Sequence, residues 1–223
     1  MDIASCQNTQ SPAPDPRFLL YNPFPSPSTW KGSIIAVGGN LSPRMLLTAY
    51  KQGIFPWYGP DDPILWQSPD PRMVIFPEKL HISHSMQKVI EKGIFTVTVN
   101  QDFAAVIRGC AEMYRPGQDG TWIHGDIIAA YTELHRLGWA VSAESWLDGE
   151  LAGGCYGLLM DNIFYGESMF ARKPNASKTA FLTLACILFE NGVTFIDCQT
   201  PSRHLRSLGG EEISRREFLG LLY

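Results

Sequence analysis

WAVSAESWLDGELAGGCYGLLMDNIFYGES, residues 139–168, is the stretch whose reading decides the fold. Upstream of it apolar residues recur at helical spacing; inside it the period drops to two, the alternation of a strand. Asp148-Gly149 separates residues 139–147 from 150–158 and is a strong tight-turn signal, so the two runs predict a β-hairpin. Gly153-Gly154 is placed to bulge the second strand. Residues 162–168 predict a third strand and complete an antiparallel meander.

Downstream, a helix is expected from Asn175 as N-cap to Glu190, stopped by Asn191-Gly192, with a short apolar strand over 193–199 and two short helices beyond it, the later near 215–222. Upstream, residues 72–76 and 95–99 read as strands, and 81–92, 102–113 and 125–137 as helices closed by glycine or loop. Ser42-Pro43 followed by Met45, Leu46, Leu47, Ala49 and Tyr50, with Gly53 past the end, predicts a helix with a serine cap and proline at its first position. Helices, a meander, then helix and strand give an α/β (mixed α+β) architecture, a mixed sheet with helices packed on it.

Residues 54–60 and 66–72 crowd Trp57, Tyr58 and Trp66 among prolines and are expected to form a rigid loop outside any regular element. Two readings stand for it: a loop folded on its own side chains, or a surface on which a planar or apolar ligand packs. Residues 1 to about 29 are rich in Pro, Ser and Asn, so at least the first dozen are expected to be disordered.

The composition is that of a globular protein, 223 residues at 45% hydrophobic, with no apolar run near the roughly 18 residues of a membrane span and no secretory signal pattern; a cytoplasmic protein is expected. Five scattered cysteines without C-x-x-C pairs read as reduced thiols, with Cys155, Cys186 and Cys198 as buried structural ones. A net charge of −4 argues against a long grip on nucleic acid. Arg172, Lys173, Lys178, Arg203, Arg206, Arg215 and Arg216 remain either a local basic patch or an ordinary mixed-charge surface.

Two places carry candidate chemistry. On a strand over 193–199, Asp197 and Gln199 share one face and Ile196 and Cys198 the other. A buried carboxylate there demands a partner; the alternative is a cap for the loop beginning at Pro201. Glu167, hemmed in by Phe164, Tyr165 and Phe170, is expected to have a raised pKa unless a cation or donor answers it. That partner is either a ligand amine or the nearby Arg172 or Lys173. G-x-S-x-G, the phosphate-loop motif and H-E-x-x-H are all missing, and His81 and His84, on one expected helical face, lack a third ligand, so no metal site is expected.

Taken in order, Gly53-Ile54-Phe55-Pro56-Trp57, Ser68-Pro69-Asp70-Pro71-Arg72, Gly120-Thr121-Trp122-Ile123, Gly166-Glu167-Ser168-Met169-Phe170, Asn175-Ala176-Ser177-Lys178 and Ile196-Asp197-Cys198-Gln199 closely resemble the leucyl/phenylalanyl-tRNA-protein transferase family. Ala36-Val37-Gly38-Gly39-Asn40-Leu41-Ser42-Pro43 and Ser207-Leu208-Gly209-Gly210-Glu211 extend the likeness over roughly residues 24–222. It implies a small N-terminal domain over 24–72, after a disordered 1–23, and a catalytic domain over 73–223 similar to the GCN5-related acetyltransferase fold, a mixed sheet flanked by helices.

The resemblance also implies a cytoplasmic aminoacyltransferase that moves Leu or Phe, sometimes Met, from aminoacyl-tRNA to the N-terminal Arg or Lys of acceptor proteins, creating a degradation signal, with no metal or organic cofactor and no membrane partner. By the same carry-over, Asp197 orients and polarises Gln199, which sits against the attacking amine, and Glu167 holds an amino group. Trp57 and Trp122 hold the 3′-terminal adenosine, and Met169, Phe181, Leu184 and Ile196 form the pocket for the aminoacyl side chain. Leu184 stands where some relatives have Phe, Gln67 where Trp is frequent and Val141 where His is common. The rival readings are an acyl-CoA-dependent N-acetyltransferase, for which residues 206–211 would be the phosphate loop with Glu211 in place of a small residue, and a non-catalytic binder of tRNA ends or protein N-termini.

Overall fold

In the computed structural model, which describes residues 22–113 and 121–222, a 3-10 turn (Pro27–Thr29) leads into β1 (Ile34–Val37), α1 (Pro43–Tyr50), β2 (Phe55–Pro56), β3 (Leu65–Gln67) and β4 (Arg72–Ile75). A second 3-10 turn (Pro77–Lys79) precedes α2 (His84–Glu91), β5 (Thr96–Val99), α3 (Phe103–Glu112) and α4 (Gly125–Arg136). The meander follows as β6 (Ala140–Leu147), β7 (Glu150–Met160) and β8 (Ile163–Ala171). The chain closes with α5 (Ala176–Glu190), β9 (Phe195–Asp197), α6 (Arg203–Ser207), β10 (Glu211–Ile213) and α7 (Arg215–Gly220).

Asp148 and Gly149 both take positive φ, 52° and 81°, which gives a two-residue turn the twist of the strands it joins. Among the described residues the strands form a small sheet in the order β1-β3-β2 and a large one in the order β10-β4-β9-β8-β7-β6-β5. In the large sheet only β8 and β9 run parallel, so it is mixed, as expected. Period-two alternation sorts its side chains into two apolar layers. One face meets α5 and Met86 of α2 through Met73, Ile75, Cys155, Phe164 and Ile196. The other meets α1, α3, α4 and Phe218 of α7 through Val74, Tyr156, Leu158, Tyr165 and Phe195. The small sheet's Ile35, Phe55 and Trp66 belong to the second layer.

Several expectations need correction. The Pro-rich aromatic stretch is not wholly irregular: it supplies β2 and β3, with Phe55 opposite Gln67 and Pro56 opposite Trp66. β2 is an edge strand, where the missing N–H of a proline costs no ladder bond. α2 starts at His84 because Ser83 accepts the Met86 N–H, while the His81 N–H bonds the Leu208 carbonyl; the two histidines do not share a helix. Asn175 precedes α5 in a left-handed conformation, φ 70°, without a side-chain cap bond. The bulge in β7 falls on Ala152, since Ser145 pairs with Gly153 and Trp146 with Leu151. Gly153 has another reason to be small: a Cβ there would lie 2.7 Å from that of Ala176 at the start of α5. β10, only three residues long, had no sequence signal.

Of the segment expected to be disordered, all but Asn22 and Pro23 lies outside the described residues, and Asn22 exchanges amide hydrogen bonds with Gln52.

Candidate active site

β8 and β9 pair over three residues only, Ile163 to Tyr165 against Phe195 to Asp197, and then separate. A pocket of about 440 Å³ opens where they part, lined from one layer by Phe55, Trp122 and Tyr156, from the other by Cys155, Phe164, Met169, Phe181, Cys198 and Leu205, and at its exposed side by Trp57. Its polar wall is Glu167, Ser168, Gln199, Thr200, Ser202 and His204. Burial pushes the Cys155 and Cys198 thiols up, so they present weakly polar S–H groups rather than thiolates.

Glu167 is placed by a bulge. Tyr156 pairs with Ser168 and Gly157 with Gly166, so Glu167 is the extra residue of β8. Its carboxyl group meets two phenols from other elements: Tyr50 donates to Oε1 at 2.6 Å and Tyr131 to Oε2 at 3.2 Å. The two phenols also bond each other, and the Gln199 amide donates to Oε1 at 3.1 Å. Neither Arg172 nor Lys173 is its partner: Arg172 reaches Glu112 instead. Burial raises the Glu167 pKa to about 8; the Tyr50 hydrogen bond lowers it, the Asp197 charge raises it, and Tyr131 and Arg72 lower it. Glu167 keeps contact with the pocket on one side, so water there moderates the shift. Burial, followed by the Glu167 charge, raises both tyrosines well above their ordinary value, so they remain proton donors.

The protons of this cluster can be counted. Three oxygen–oxygen contacts share two phenolic protons, so with Glu167 ionised one contact lacks a proton. A proton on Oε2 gives every contact one donor: Oε2 then donates to Tyr131, Tyr131 to Tyr50 and Tyr50 to Oε1. The geometry therefore favours the neutral acid in the same direction as burial does.

Asp197 is fully buried and answered by Arg72, whose Nε and Nη2 fork onto its two oxygens at 2.8 and 2.6 Å. It does not cap the loop at Pro201. β9 ends at Asp197, and Gln199 lies beyond it with φ 56°, so the two do not alternate along one strand; Asp197 Oδ1 accepts the Gln199 main-chain N–H instead. Trp57, Trp122, Met169, Phe181, Glu167 and Gln199 all line the pocket. Asp197 does not line it, and Leu184 and Ile196 sit in the same apolar layer as Phe181 without lining it. Tyr50, Tyr131 and Arg72 were not singled out from the sequence. Arg72, next to Met73-Val74-Ile75, carried a usable signal, because a charge at the head of an apolar strand needs a partner.

Of the candidate basic patch, Arg215 is buried against main-chain carbonyls, and Arg172 and Arg206 pair with Glu112 and Glu212. The glycines that the rival acyl-CoA reading would need for a phosphate loop are used in packing: a Cβ on Gly209 would lie 1.8 Å from the Lys79 carbonyl oxygen, and one on Gly210 would lie 2.7 Å from the Met73 sulfur. Among the described residues no three His, Cys, Asp or Glu side chains converge to hold a metal, and no helix is long and apolar enough to cross a membrane.

Residues 74–223 match the pattern of the leucyl/phenylalanyl-tRNA protein transferase family, and residues 39–70 that of its N-terminal domain. The chain belongs to this family. A leucyl/phenylalanyl-tRNA–protein transferase of Syntrophobacter fumaroxidans is 53% identical over 198 residues, covering 89% of this chain and 85% of the relative. One of Flavobacterium johnsoniae is 50% identical over 189 residues, covering 85% and 89%. As a leucyl/phenylalanyl-tRNA protein transferase, the chain is an aminoacyltransferase. Among solved structures it is distantly similar to a GCN5-related N-acetyltransferase of Kribbella flavida, at 16% identity, 77% of this chain, 61% of that one and a TM-score of 0.37.

Proposed function

We propose that the cleft between β8 and β9 transfers Leu, Phe or Met from the 3′ end of its tRNA to the N-terminal Arg or Lys of an acceptor protein. The observation that carries this is the carboxyl group of Glu167, held by two phenols and the Gln199 amide in the wall of a pocket that is otherwise aromatic and apolar. Trp57, 38% exposed, and Trp122 offer indole faces for the terminal adenosine. Met169 and Phe181, with Phe164 and Leu205 beside them, receive the aminoacyl side chain, and Leu184 and Ile196 back them. Such a pocket separates apolar side chains weakly, which suits several donors.

An aminoacyl ester is already activated, so the site has to bring an amine to the ester carbon and supply a path for one proton. Much of the rate can come from positioning alone. With its nitrogen turned to Glu167, the Gln199 amide leaves its oxygen to accept an N–H of the attacking amine. A carboxyl group with a pKa near 8 is matched to an α-ammonium group, whose ordinary value is also near 8, so Glu167 in its ionised form can take the extra proton of the ammonium at little cost and leave the neutral amine that attacks. The new amide bond forms as the ester C–O bond breaks. The amine proton passes through water or the ribose hydroxyl to the leaving 3′ oxygen.

The test is transfer of label from Leu-, Phe- and Met-tRNA to an Arg-initiated peptide. Transfer is expected from all three, with none from acetyl-CoA. Gln199→Ala and Glu167→Gln should each slow it on the order of 100-fold. Wild-type protein that binds Phe-tRNA yet transfers nothing would leave the binding-only reading standing.

A further inference from the structure

We infer that Arg72 is the positioning residue for Gln199, acting through Asp197, and that it ties the Gln199 amide to the pocket wall that carries Trp57. The inference rests on the proposed transfer reaction and identifies what holds its central amide in place.

Gln199 has φ 56°, in the left-handed region that residues with a side chain seldom adopt and keep only when their surroundings impose it. Its peptide is pinned at both ends: the N–H donates to Asp197 Oδ1 at 2.9 Å, and the carbonyl accepts the Met73 N–H at 3.1 Å. The Asp197 carboxylate makes three hydrogen bonds, two from Arg72 and one from that N–H, and none involves the Gln199 side chain. Asp197 therefore acts on Gln199 through the backbone. It fixes the conformation from which the amide reaches Glu167.

The anchor for Asp197 is Arg72. Both side chains are fully buried, and the planar fork meets both carboxylate oxygens, a match that a lysine cannot make. The remaining arm, Nη1, donates to the Gly53 carbonyl at 3.0 Å. The guanidinium lies over the rings of Phe218, 4.3 Å away, and Phe55, 5.0 Å away. Phe55 lines the pocket two residues before Trp57. One buried cation thus joins the loop that leads to Trp57, the strand that ends at Asp197 and the C-terminal helix.

Displacing a reacting group by about 1 Å costs on the order of 100-fold in rate, whereas a lysine ammonium keeps a cation beside the Gly53 carbonyl and the Phe55 ring and so leaves the wall that carries Trp57 in place. Arg72→Lys should therefore slow single-turnover transfer of Leu to an Arg-initiated peptide by roughly 10- to 100-fold, with a change in apparent Leu-tRNA affinity of less than about threefold. The decisive measurement is a double-mutant cycle with enzyme in excess. Arg72→Lys combined with Gln199→Ala should be no slower than Gln199→Ala alone, because the lysine acts only by misplacing an amide that is then absent. A merely structural defect would multiply the two losses, and that result would overturn the inference, as would wild-type rates in a folded Arg72→Lys protein. Should Arg72→Lys fail to fold, Phe218→Leu removes one ring from the guanidinium face and keeps the fork. A smaller slowing, again abolished by Gln199→Ala, supports the clamp, and a slowing that persists in Gln199→Ala rejects it. Failure of the wild type to transfer would count against the transfer reading itself, not against the clamp.

Discussion

Glu167 is the residue at which physical chemistry and function pull hardest on one another. Its pKa, raised by burial to about 8, sets a sign for stability. Between the ordinary carboxyl value and about 8 the folded protein holds a proton that the unfolded chain has released. This contribution is complete at acid pH and is lost as the pH rises through 8. Glu167→Gln, which keeps the shape and can donate to Tyr131 without ionising, should gain on the wild type as the pH rises. A relative gain of about 2 kcal/mol between pH 5 and pH 9, discounted for water in the pocket, is the expected size, read by urea denaturation at each pH. A constant difference between the two proteins would mean that the carboxyl group titrates as if exposed. The sequence showed the raised pKa because Phe164, Tyr165 and Phe170 surround Glu167 locally. It could not show Tyr50 and Tyr131, which come from α1 and α4 and look like ordinary core residues of amphipathic helices.

At the scale of elements, the bulge in β8 is what delivers Glu167, and Gly157 permits it. A Cβ on Gly157 would lie 2.2 Å from the Tyr165 carbonyl oxygen and 2.6 Å from the Phe164 ring, so any side chain there forces the two strands apart where the register shifts. Gly157→Ala should cost about 1–3 kcal/mol by overpacking and slow transfer more than that loss of stability explains, measured by denaturation alongside single-turnover rates. Gly220→Ala, in α7, is a control for glycine loss away from the site, since nothing lies within 4 Å of its Cβ position and its φ is not left-handed. The meander, its Asp-Gly turn and the long helices were legible because each is a local pattern of period and punctuation. β9 and β10 were not legible in their extents, since three-residue strands are defined by their neighbours: β10 exists by pairing with β4, and β9 stops at Asp197 because the next residues turn away from β8. The same limit applies to Gln199: period two alone continues the strand through it, and the turn after Asp197 depends on neighbours distant in sequence.

Across the described residues, the C-terminal helix α7 fastens the segments that flank the small sheet to the edge of the large one. Arg215, 8% exposed, donates to the carbonyls of Trp30, Gly32 and Ser68, and its main-chain N–H meets Asp70 Oδ1 at 3.0 Å. Phe218 packs in the same apolar layer as Phe55 and Trp66, and a Cβ on Gly53 would lie 2.7 Å from its ring. The small sheet and the large one therefore share a core and a buried cation, although sequence composition divides them near residue 72. Such a shared core should unfold in one step, with far-UV circular dichroism and tryptophan fluorescence giving coincident transitions. Arg215→Met keeps most of the apolar stem but strands three carbonyls that had a charged donor, a loss of about 2–4 kcal/mol. Because those carbonyls lie in the segments around the small sheet, the fluorescence change should move to lower denaturant than the circular dichroism change, splitting the single transition. Two coincident curves shifted together would instead show that the shared apolar layer, to which Phe218 belongs, couples the sheets without the help of Arg215.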